Sequence, residues 1–227
     1  MDMKLIARFA LRETMGVLLM GIALFWSAGD ITWWAAWALI AVTVAWIVAT
    51  GVVIIRSHPD LLAERLGPRK GAKKWDTTLM GCHGVLQLAM LVVAGLDYRY
   101  GWSATIPLAA QIAALIVCAL GYGLVVWATA SNAFFSQIVR IQTERGHTVA
   151  TGGPYHYVRH PAYAGGILTQ VSTPIILVSW WALIIGIADA SLMILRTTLE
   201  DRTLMIELPG FPEYAGSVRH RLVPGLW

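Results

Sequence analysis

The chain has 227 residues, of which 57% are hydrophobic and 13% are charged, and its mean hydropathy is +0.64. This composition excludes an ordinary soluble globular protein and indicates an integral membrane protein. The net charge of +4 could suggest nucleic-acid binding, but the basic residues lie between apolar runs, so membrane topology explains them better.

The first two apolar runs predict a helical hairpin. Residues 14–28 are short for a membrane span, and an amphipathic turn at residues 9–12 is expected to extend them. Gly29 and Asp30 break this run, and residues 31–55 are long enough to cross the membrane. The basic N-terminus resembles a signal peptide superficially, but no clear small-residue cleavage site follows it.

A basic segment at residues 56–76 separates the hairpin from the third span, which is predicted at residues 77–96. Such a segment is typical of a cytoplasmic loop that contacts anionic lipid headgroups. Within the third span, His83 and Gln87 are four residues apart and share a helix face. They either line a pocket or form a hydrogen bond between helices. The basic residues of the segment are Arg56, Arg65, Arg69, Lys70, Lys73 and Lys74.

The fourth span is predicted at residues 104–131, and its length should carry Asn132 and the following phenylalanines beyond the membrane core. Gly121 and Gly123 lie in its lower half. Small residues at such positions favour close helix packing, and the alternative is that they leave room for a bound molecule. Cys82 and Cys118 fall inside separate apolar runs, so neither a disulfide nor a metal site is predicted.

Residues 145–166, RGHTVATGGPYHYVRHPAYAGG, form the longest polar interruption in the second half of the chain. We refer to them as the motif. Gly152-Gly153-Pro154 predicts a turn in which the backbone can approach a ligand closely. Pro161 suits the first turn of the following helix, whose free N–H groups could receive an anion. The density of rings and cationic groups in the motif predicts a binding site.

Residues 162–199 are too long for one crossing and are interrupted by Pro174 and by Ser-Trp-Trp at 179–181, so we expect a fifth and a sixth span. At about 100° per residue, Asp189, Arg196 and Glu200 share one face of the sixth span. Ionisable groups in a span usually face a protein interior or a water-filled cavity. A structural salt bridge between Arg196 and Glu200 is the simpler alternative.

The distribution of basic residues predicts the topology. With a cytoplasmic N-terminus, six spans place every Lys and Arg except Arg99 on the cytoplasmic side. We therefore expect an all-α, multi-pass membrane protein of about six transmembrane helices, with both termini and the binding site of the motif at the cytoplasmic face. We expect residues 1–227 to form one helical membrane domain, in which 1–103 are N-terminal spans and 104–227 contain the motif.

The motif pattern H-T-V-A-T-G-G-P-Y-x-x-x-R-H-P-x-Y-x-G resembles the cofactor segment of the isoprenylcysteine carboxyl methyltransferase family, membrane enzymes that use S-adenosylmethionine. A second block is similar to the terminal signature of that family: Arg196, Glu200-Asp201, Glu213-Tyr214 and the closing RLVPGLW. The resemblance covers roughly residues 115–227. The acidic pair here is Glu-Asp, where the family usually has Glu-Glu.

The resemblance implies a cofactor site at the cytoplasmic face, makes residues 104–227 the catalytic part of the domain, and implies a catalytic set. Glu200 helps to hold the methionine end of S-adenosylmethionine, Arg159 braces the loop, and Arg196 orients the methyl acceptor. These three residues are the implied catalytic set. The residues implied to surround the cofactor are His147, Gly153, Tyr155, His160, Pro161, Tyr163 and Glu200.

A site with so few catalytic side chains is sufficient for methyl transfer, because the sulfonium donor is already activated and the protein mainly aligns the reactants and excludes water. The implied reaction is esterification of a prenylcysteine carboxylate or a similar lipophilic acceptor from the bilayer, and a carboxylate is already ionised at neutral pH. A phospholipid amine would need a base, for which a motif histidine is the candidate. A transporter or lipid-binding protein is a third possibility. The polar residues, however, concentrate at one face of the membrane, and the sequence has no internal repeat of half its length. No nucleic acid and no metal are expected as partners, and membrane lipids are.

Overall fold

The computed structural model describes residues 2–67 and 71–227, and over these residues it contains helices and loops but no strand. Arg69 and Lys70 of the basic segment lie outside the described residues. Five helices are long and apolar enough to cross a membrane. The eight α-helices are α1 (Met3–Ala28), α2 (Trp34–Ser57), α3 (Asp60–Leu66), α4 (Lys74–Tyr100), α5 (Leu108–Ala130), α6 (Pro161–Ile176), α7 (Trp180–Glu207) and α8 (Phe211–Ser217).

Each predicted span corresponds to a helix, but the helix boundaries differ from those expected. Helix α1 begins eleven residues before the predicted start, because Asp2 caps its N-terminus by accepting a hydrogen bond from the Lys4 amide at 2.9 Å. It ends at Gly29, which has the left-handed backbone typical of a helix terminus. Helix α5 begins four residues later than predicted, directly after Pro107, which lacks an N–H and favours a helix start.

The long apolar stretch divides into two helices, as predicted. Helix α6 ends at Ile176 and α7 begins at Trp180, after Ser179 caps it by accepting from the Ala182 amide at 3.0 Å. Pro174 lies inside α6 rather than in the break. Helix α6 has 16 residues, or about 24 Å at 1.5 Å per residue, which is less than the roughly 30 Å of a bilayer core.

Six helices form a closed ring. Helix α1 packs between α2 and α4, α2 contacts α5, and α5, α6, α7 and α4 follow in that order around the ring. The closest crossing joins Gly121 of α5 to Gly165 of α6, where a Cβ atom on Gly121 would lie 2.7 Å from the Gly165 carbonyl oxygen. Gly121 therefore allows close helix packing, which was the first of the two interpretations of these glycines. A Cβ atom on Gly123 would meet no other atom within 4 Å.

The two ends of the ring differ in packing. At the end away from the motif, small and apolar side chains from α1, α2, α4, α5, α6 and α7 form one continuous buried cluster. At the motif end, two smaller clusters pack around α3 and around α8 and leave a central cavity between them. The fold therefore places an open chamber at one end of the bundle and a solid apolar core at the other.

Candidate functional site

The cavity has a volume of about 590 Å³ and extends from the motif into the helix ring. Residues of α2, α4, α5, α6, α7 and α8 and of the segment between α5 and α6 line it. A volume of this size is typical of small-molecule sites. Seven of the residues implied by the resemblance line the cavity: His147, Tyr155, Arg159, His160, Tyr163, Arg196 and Glu200.

His147 lies at the mouth of the cavity in a defined orientation. Its Nδ1 accepts a hydrogen bond from the Gln142 amide at 3.2 Å, and its ring stacks on Phe134 with centroids 4.6 Å apart. Burial, together with the positive charges of Arg145 and Arg140, lowers the pKa of His147 to about 4. The imidazole is therefore neutral at physiological pH, and with Nδ1 as acceptor its proton is on Nε2, which is free to donate.

Asp201 joins the motif to the C-terminal tail. Its carboxylate accepts hydrogen bonds from Arg159 Nε at 2.8 Å, from Arg221 Nε at 2.9 Å and lies 3.0 Å from His160 Nε2. The amides of Arg159 and His160 also donate to the carbonyls of His220 and Arg221, each at 2.9 Å. The motif and the tail therefore meet, as the predicted topology requires.

Arg159 is fully engaged within the protein. In addition to Asp201, its NH1 donates to the carbonyls of Val218 and Arg219, both at 2.8 Å. His160 is also buried, with 6% of its surface exposed, and it stacks on Tyr163. Both side chains support the structure of the site and also line it. His160 therefore has a structural role in addition to any contact with a ligand.

Glu200 and Arg196 lie one turn apart on α7, but each pairs with a different partner. The Tyr163 hydroxyl donates to Glu200, and the guanidinium carbon of Arg196 lies 5.0 Å from the centroid of the Tyr163 ring. Arg196 Nε donates to Asp76 of α4 at 2.7 Å, and its NH2 donates to the Gln137 carbonyl at 3.0 Å. Within the described residues, Arg196 and Glu200 form no salt bridge with each other, so the simpler alternative is wrong.

Tyr155 closes the cavity near α8. The Tyr214 hydroxyl donates to the Tyr155 carbonyl at 2.7 Å, and the Asn132 amide lies 3.3 Å from the Tyr155 hydroxyl. Burial raises the pKa of both tyrosines well above the usual value near 10, so both hydroxyls stay protonated and can act as donors.

Gly153 and Pro161 do not line the cavity. Gly153 has φ +58°, and a Cβ atom there would lie 2.1 Å from the Ser131 hydroxyl oxygen at the end of α5. Pro161 is buried in the first turn of α6. The structure places both residues where they shape the motif backbone rather than where they would contact a molecule in the cavity.

Several cavity residues could not be identified from the pattern alone. Asp76 is fully buried and orients Arg196, and its only sequence signal is a carboxylate at the start of an apolar run. Trp46 and Gln170 also line the cavity. His83 and Gln87 fulfil both expectations at once, since they line the cavity and also bind Asp189 of α7, at 2.8 Å and 2.7 Å.

Comparisons with known proteins give matches at the level of sequence and of fold. A model of the isoprenylcysteine carboxyl methyltransferase (ICMT) family matches residues 112–206. Arg196 and Glu200-Asp201 of the predicted terminal signature lie within the match, and Glu213-Tyr214 and the closing RLVPGLW lie outside it. Among solved structures, the chain is similar to a eukaryotic intramembrane Ras methyltransferase, ICMT, with a TM-score of 0.55 and 17% identity over 92% of this chain and 73% of that one. That similarity concerns the fold. No curated protein sequence matches the chain. The resemblance carried by the motif is therefore confirmed: residues 112–206 match the model of the isoprenylcysteine carboxyl methyltransferase family.

Proposed function

We propose that this membrane methyltransferase transfers a methyl group from S-adenosylmethionine to the carboxylate of a prenylcysteine or a similar lipophilic acceptor. The observation that carries this proposal is one continuous cavity, lined at its mouth by the motif residues and farther into the bundle by Arg196. A soluble donor can reach the mouth, and a lipid-soluble acceptor can occupy the part between the helices.

The residues at the mouth fit the cofactor. Its ammonium group would find a carboxylate in Glu200, and its polar atoms would find donors in the neutral His147 ring and in the Tyr155 hydroxyl. His160 and Tyr163 provide a stacked aromatic wall. Gly153 and Pro161 act through the backbone they shape. When bound, the cofactor supplies an electrophilic methyl group on a sulfonium.

Arg196 is suited to hold the acceptor carboxylate. Asp76 and the Gln137 carbonyl fix the guanidinium through Nε and NH2, whereas NH1 makes no hydrogen bond with any described residue. An arginine whose plane is already fixed loses little freedom when it binds a carboxylate. The ring of helices around the carboxylate keeps water away from the reacting atoms. Arg159, held by Asp201 and the tail, is a positioning residue in this scheme.

The geometry favours a carboxylate over an amine acceptor. An ammonium must lose a proton before it can accept a methyl group, and of the three motif histidines only His147 and His160 line the cavity. The pKa of His147 is about 4, which is far below neutral pH, and His160 Nε2 faces Asp201. A transporter would need a path across the bundle, whereas a solid core fills the end away from the motif.

The topology is part of the proposal. Six spans with both termini and the site in the cytoplasm agree with the helix ring and with the basic residues, since among those that the structure describes only Arg99 lies at the opposite end. The short α6 would cross as one arm of the hairpin with α7. Reporter fusions at the two termini test this directly, because one terminus found outside would contradict an even number of crossings.

The decisive assay offers the purified protein labelled S-adenosylmethionine with N-acetyl-S-farnesylcysteine or with phosphatidylethanolamine. We expect label in the farnesylcysteine product and release of this label by mild base, because esters are base-labile and N-methyl groups are not. Base-stable label in the phospholipid would instead establish the amine reaction. Absence of cofactor binding at high micromolar concentration would contradict an enzyme of this class.

A further inference from the structure

Helices α1 and α4 are in close contact at one end and separate toward the other. Both run from the motif end of the bundle to the apolar core, since Leu24 and Ala28 of α1 and Ala94 of α4 belong to that core. At Gly95 of α4 the two backbones pack closely, because a Cβ atom there would overlap the Ser27 side chain and lie 2.8 Å from the Leu24 carbonyl oxygen.

Nearer the motif, the same two helix faces are apart. Gly84 of α4 and Gly16 of α1 each precede this contact by eleven residues, which at about 100° per residue returns to within roughly 20° of the same face. Both glycines are exposed, and a Cβ atom on either would meet no other atom within 4 Å. Leu88, which lies on this face between Gly84 and Gly95, is 41% exposed. The helices therefore diverge toward the motif, and we call the space between residues 12–20 of α1 and 80–88 of α4 the α1–α4 crevice.

The α1–α4 crevice borders the cavity. Met80 and Gln87 line the cavity, and around α4 they lie within roughly 60° of Gly84. Among the described residues, α1 contributes none to the cavity lining, so the wall on this side consists of α4 and α2. At the motif end, Arg12 of α1 bridges the crevice, because its NH1 donates to Oε1 of the cavity residue Gln137 at 3.3 Å. The crevice therefore has the cavity on one side, the bilayer on the other and a contact at either end.

Other helix interfaces around the cavity are bridged at this depth. Glycines bring α5 and α6 together, and a Cβ atom on Gly186 of α7 would lie 2.7 Å from the Gln170 carbonyl oxygen of α6. Polar side-chain contacts at two depths join α4 to α7. Trp46 of α2 stacks on Tyr122 of α5 with ring centroids 4.7 Å apart. A lipophilic molecule that leaves the cavity sideways therefore meets the least obstruction between α1 and α4.

We propose that the hydrocarbon chain of the methyl acceptor lies in the α1–α4 crevice while Arg196 holds its carboxylate. On α4, Gly84 is eight residues from Asp76, the partner of Arg196, or roughly 12 Å at 1.5 Å per residue. A farnesyl chain is longer than this. Leu88 and Met20 give the crevice apolar walls, against which burial of hydrocarbon is favourable. This inference rests on the proposed function, and it assigns acceptor binding to two helices that precede the part of the chain matched by the family model.

Photolabelling tests the position of the chain directly. N-acetyl-S-farnesylcysteine with a diazirine at the far end of its chain is photolysed with the full chain in phosphatidylcholine vesicles, and labelled peptides are identified by mass spectrometry. We expect label in residues 12–20 and 80–88 that excess unmodified N-acetyl-S-farnesylcysteine displaces. Displaceable label confined to α5, α6 or α7 would overturn the crevice assignment alone. If no label is displaced anywhere, the proposed acceptor itself is wrong.

Substitutions that fill the crevice test its use in turnover. Gly84→Leu has room for its side chain in the free protein, and it should lower kcat/KM for N-acetyl-S-farnesylcysteine about tenfold, mainly through KM, with an unchanged dissociation constant for S-adenosylmethionine. Gly123→Leu on α5 is the matched control and should behave like the wild type, because Gly123 is also exposed with an open Cβ position but does not line the cavity. Gly16→Leu narrows the crevice from α1 and serves if Gly84→Leu does not fold. A wild-type kcat/KM in a folded crevice variant would overturn the proposal.

Discussion

Arg159 and Asp201 form a bidentate ion pair, with Nε 2.8 Å from Oδ1 and NH2 3.0 Å from Oδ2, although 42 residues separate them in sequence. Both side chains are more than nine-tenths buried. Arg221 and His160 contact the same carboxylate, so one acidic residue of α7 holds the motif and the tail together.

Asp201→Asn should destabilise the protein strongly. The variant keeps the shape of the side chain but leaves the buried Arg159 guanidinium without its counter-charge, and breaking such a pair by changing one partner costs about 3–5 kcal/mol. Thermal unfolding in detergent measures the effect. Glu213→Gln on the exposed face of α8 is the control and should unfold like the wild type. Equal melting temperatures for the two variants would contradict the role given to Asp201.

Arg196→Lys should lower turnover by about tenfold to a hundredfold, which corresponds to 1.4–2.8 kcal/mol of lost alignment. Lysine keeps the charge but cannot bind Asp76, the Gln137 carbonyl and an acceptor carboxylate together. The dissociation constant of S-adenosylmethionine should stay nearly unchanged. Arg202→Lys, at an exposed position of the same helix, is the control. Wild-type turnover with saturating prenylcysteine would remove Arg196 from acceptor binding.

His147 should make stability depend on pH below neutrality. Its pKa is about 4 in the folded chain and about 6.5 when unperturbed, so between these values the unfolded chain binds more protons. Stability is therefore lost as the pH falls from about 6.5 to about 4. In His147→Asn, which has no titrating ring, melting temperatures should fall less over this range. Parallel curves for the variant and the wild type would show that His147 is not held neutral.

Gly153→Ala should destabilise the motif turn. An alanine with φ near +58° costs about 1–2 kcal/mol, and its Cβ would also meet the Ser131 hydroxyl. Adding Ser131→Gly should recover the part caused by the clash. Gly152→Ala is the neighbouring control, because Gly152 has φ −87° and open space at its Cβ position. Similar melting temperatures for the two single variants would contradict this account.

The sequence predicted the helices well because apolar runs and their interruptions are local features. The break between α6 and α7 was predicted from Pro174 and the Ser-Trp-Trp segment, although Pro174 itself lies within α6, and the hairpin of α1 and α2 was predicted from Gly29. The helix starts were less accurate, because they depend on capping by single residues such as Asp2 and Pro107.

The site was only partly predictable. The motif pattern predicted that His147, Tyr155 and Tyr163 contribute to one site. All three line the cavity, since they are close in sequence around one turn. The pair of Asp76 with Arg196 spans 120 residues and arises from the packing of α4 against α7, which no local pattern encodes. For the same reason, the prediction that Arg196 and Glu200 share one helix face did not establish that their side chains form an ion pair.

The apolar core that fills the end of the bundle away from the motif makes the cavity a blind chamber. Under the function proposed above, an acceptor that enters from one leaflet would leave as its ester by the same route. Esterification would remove a negative charge, so the product would return to the bilayer as a more lipophilic molecule. The protein would then modify acceptors from one side of its membrane only.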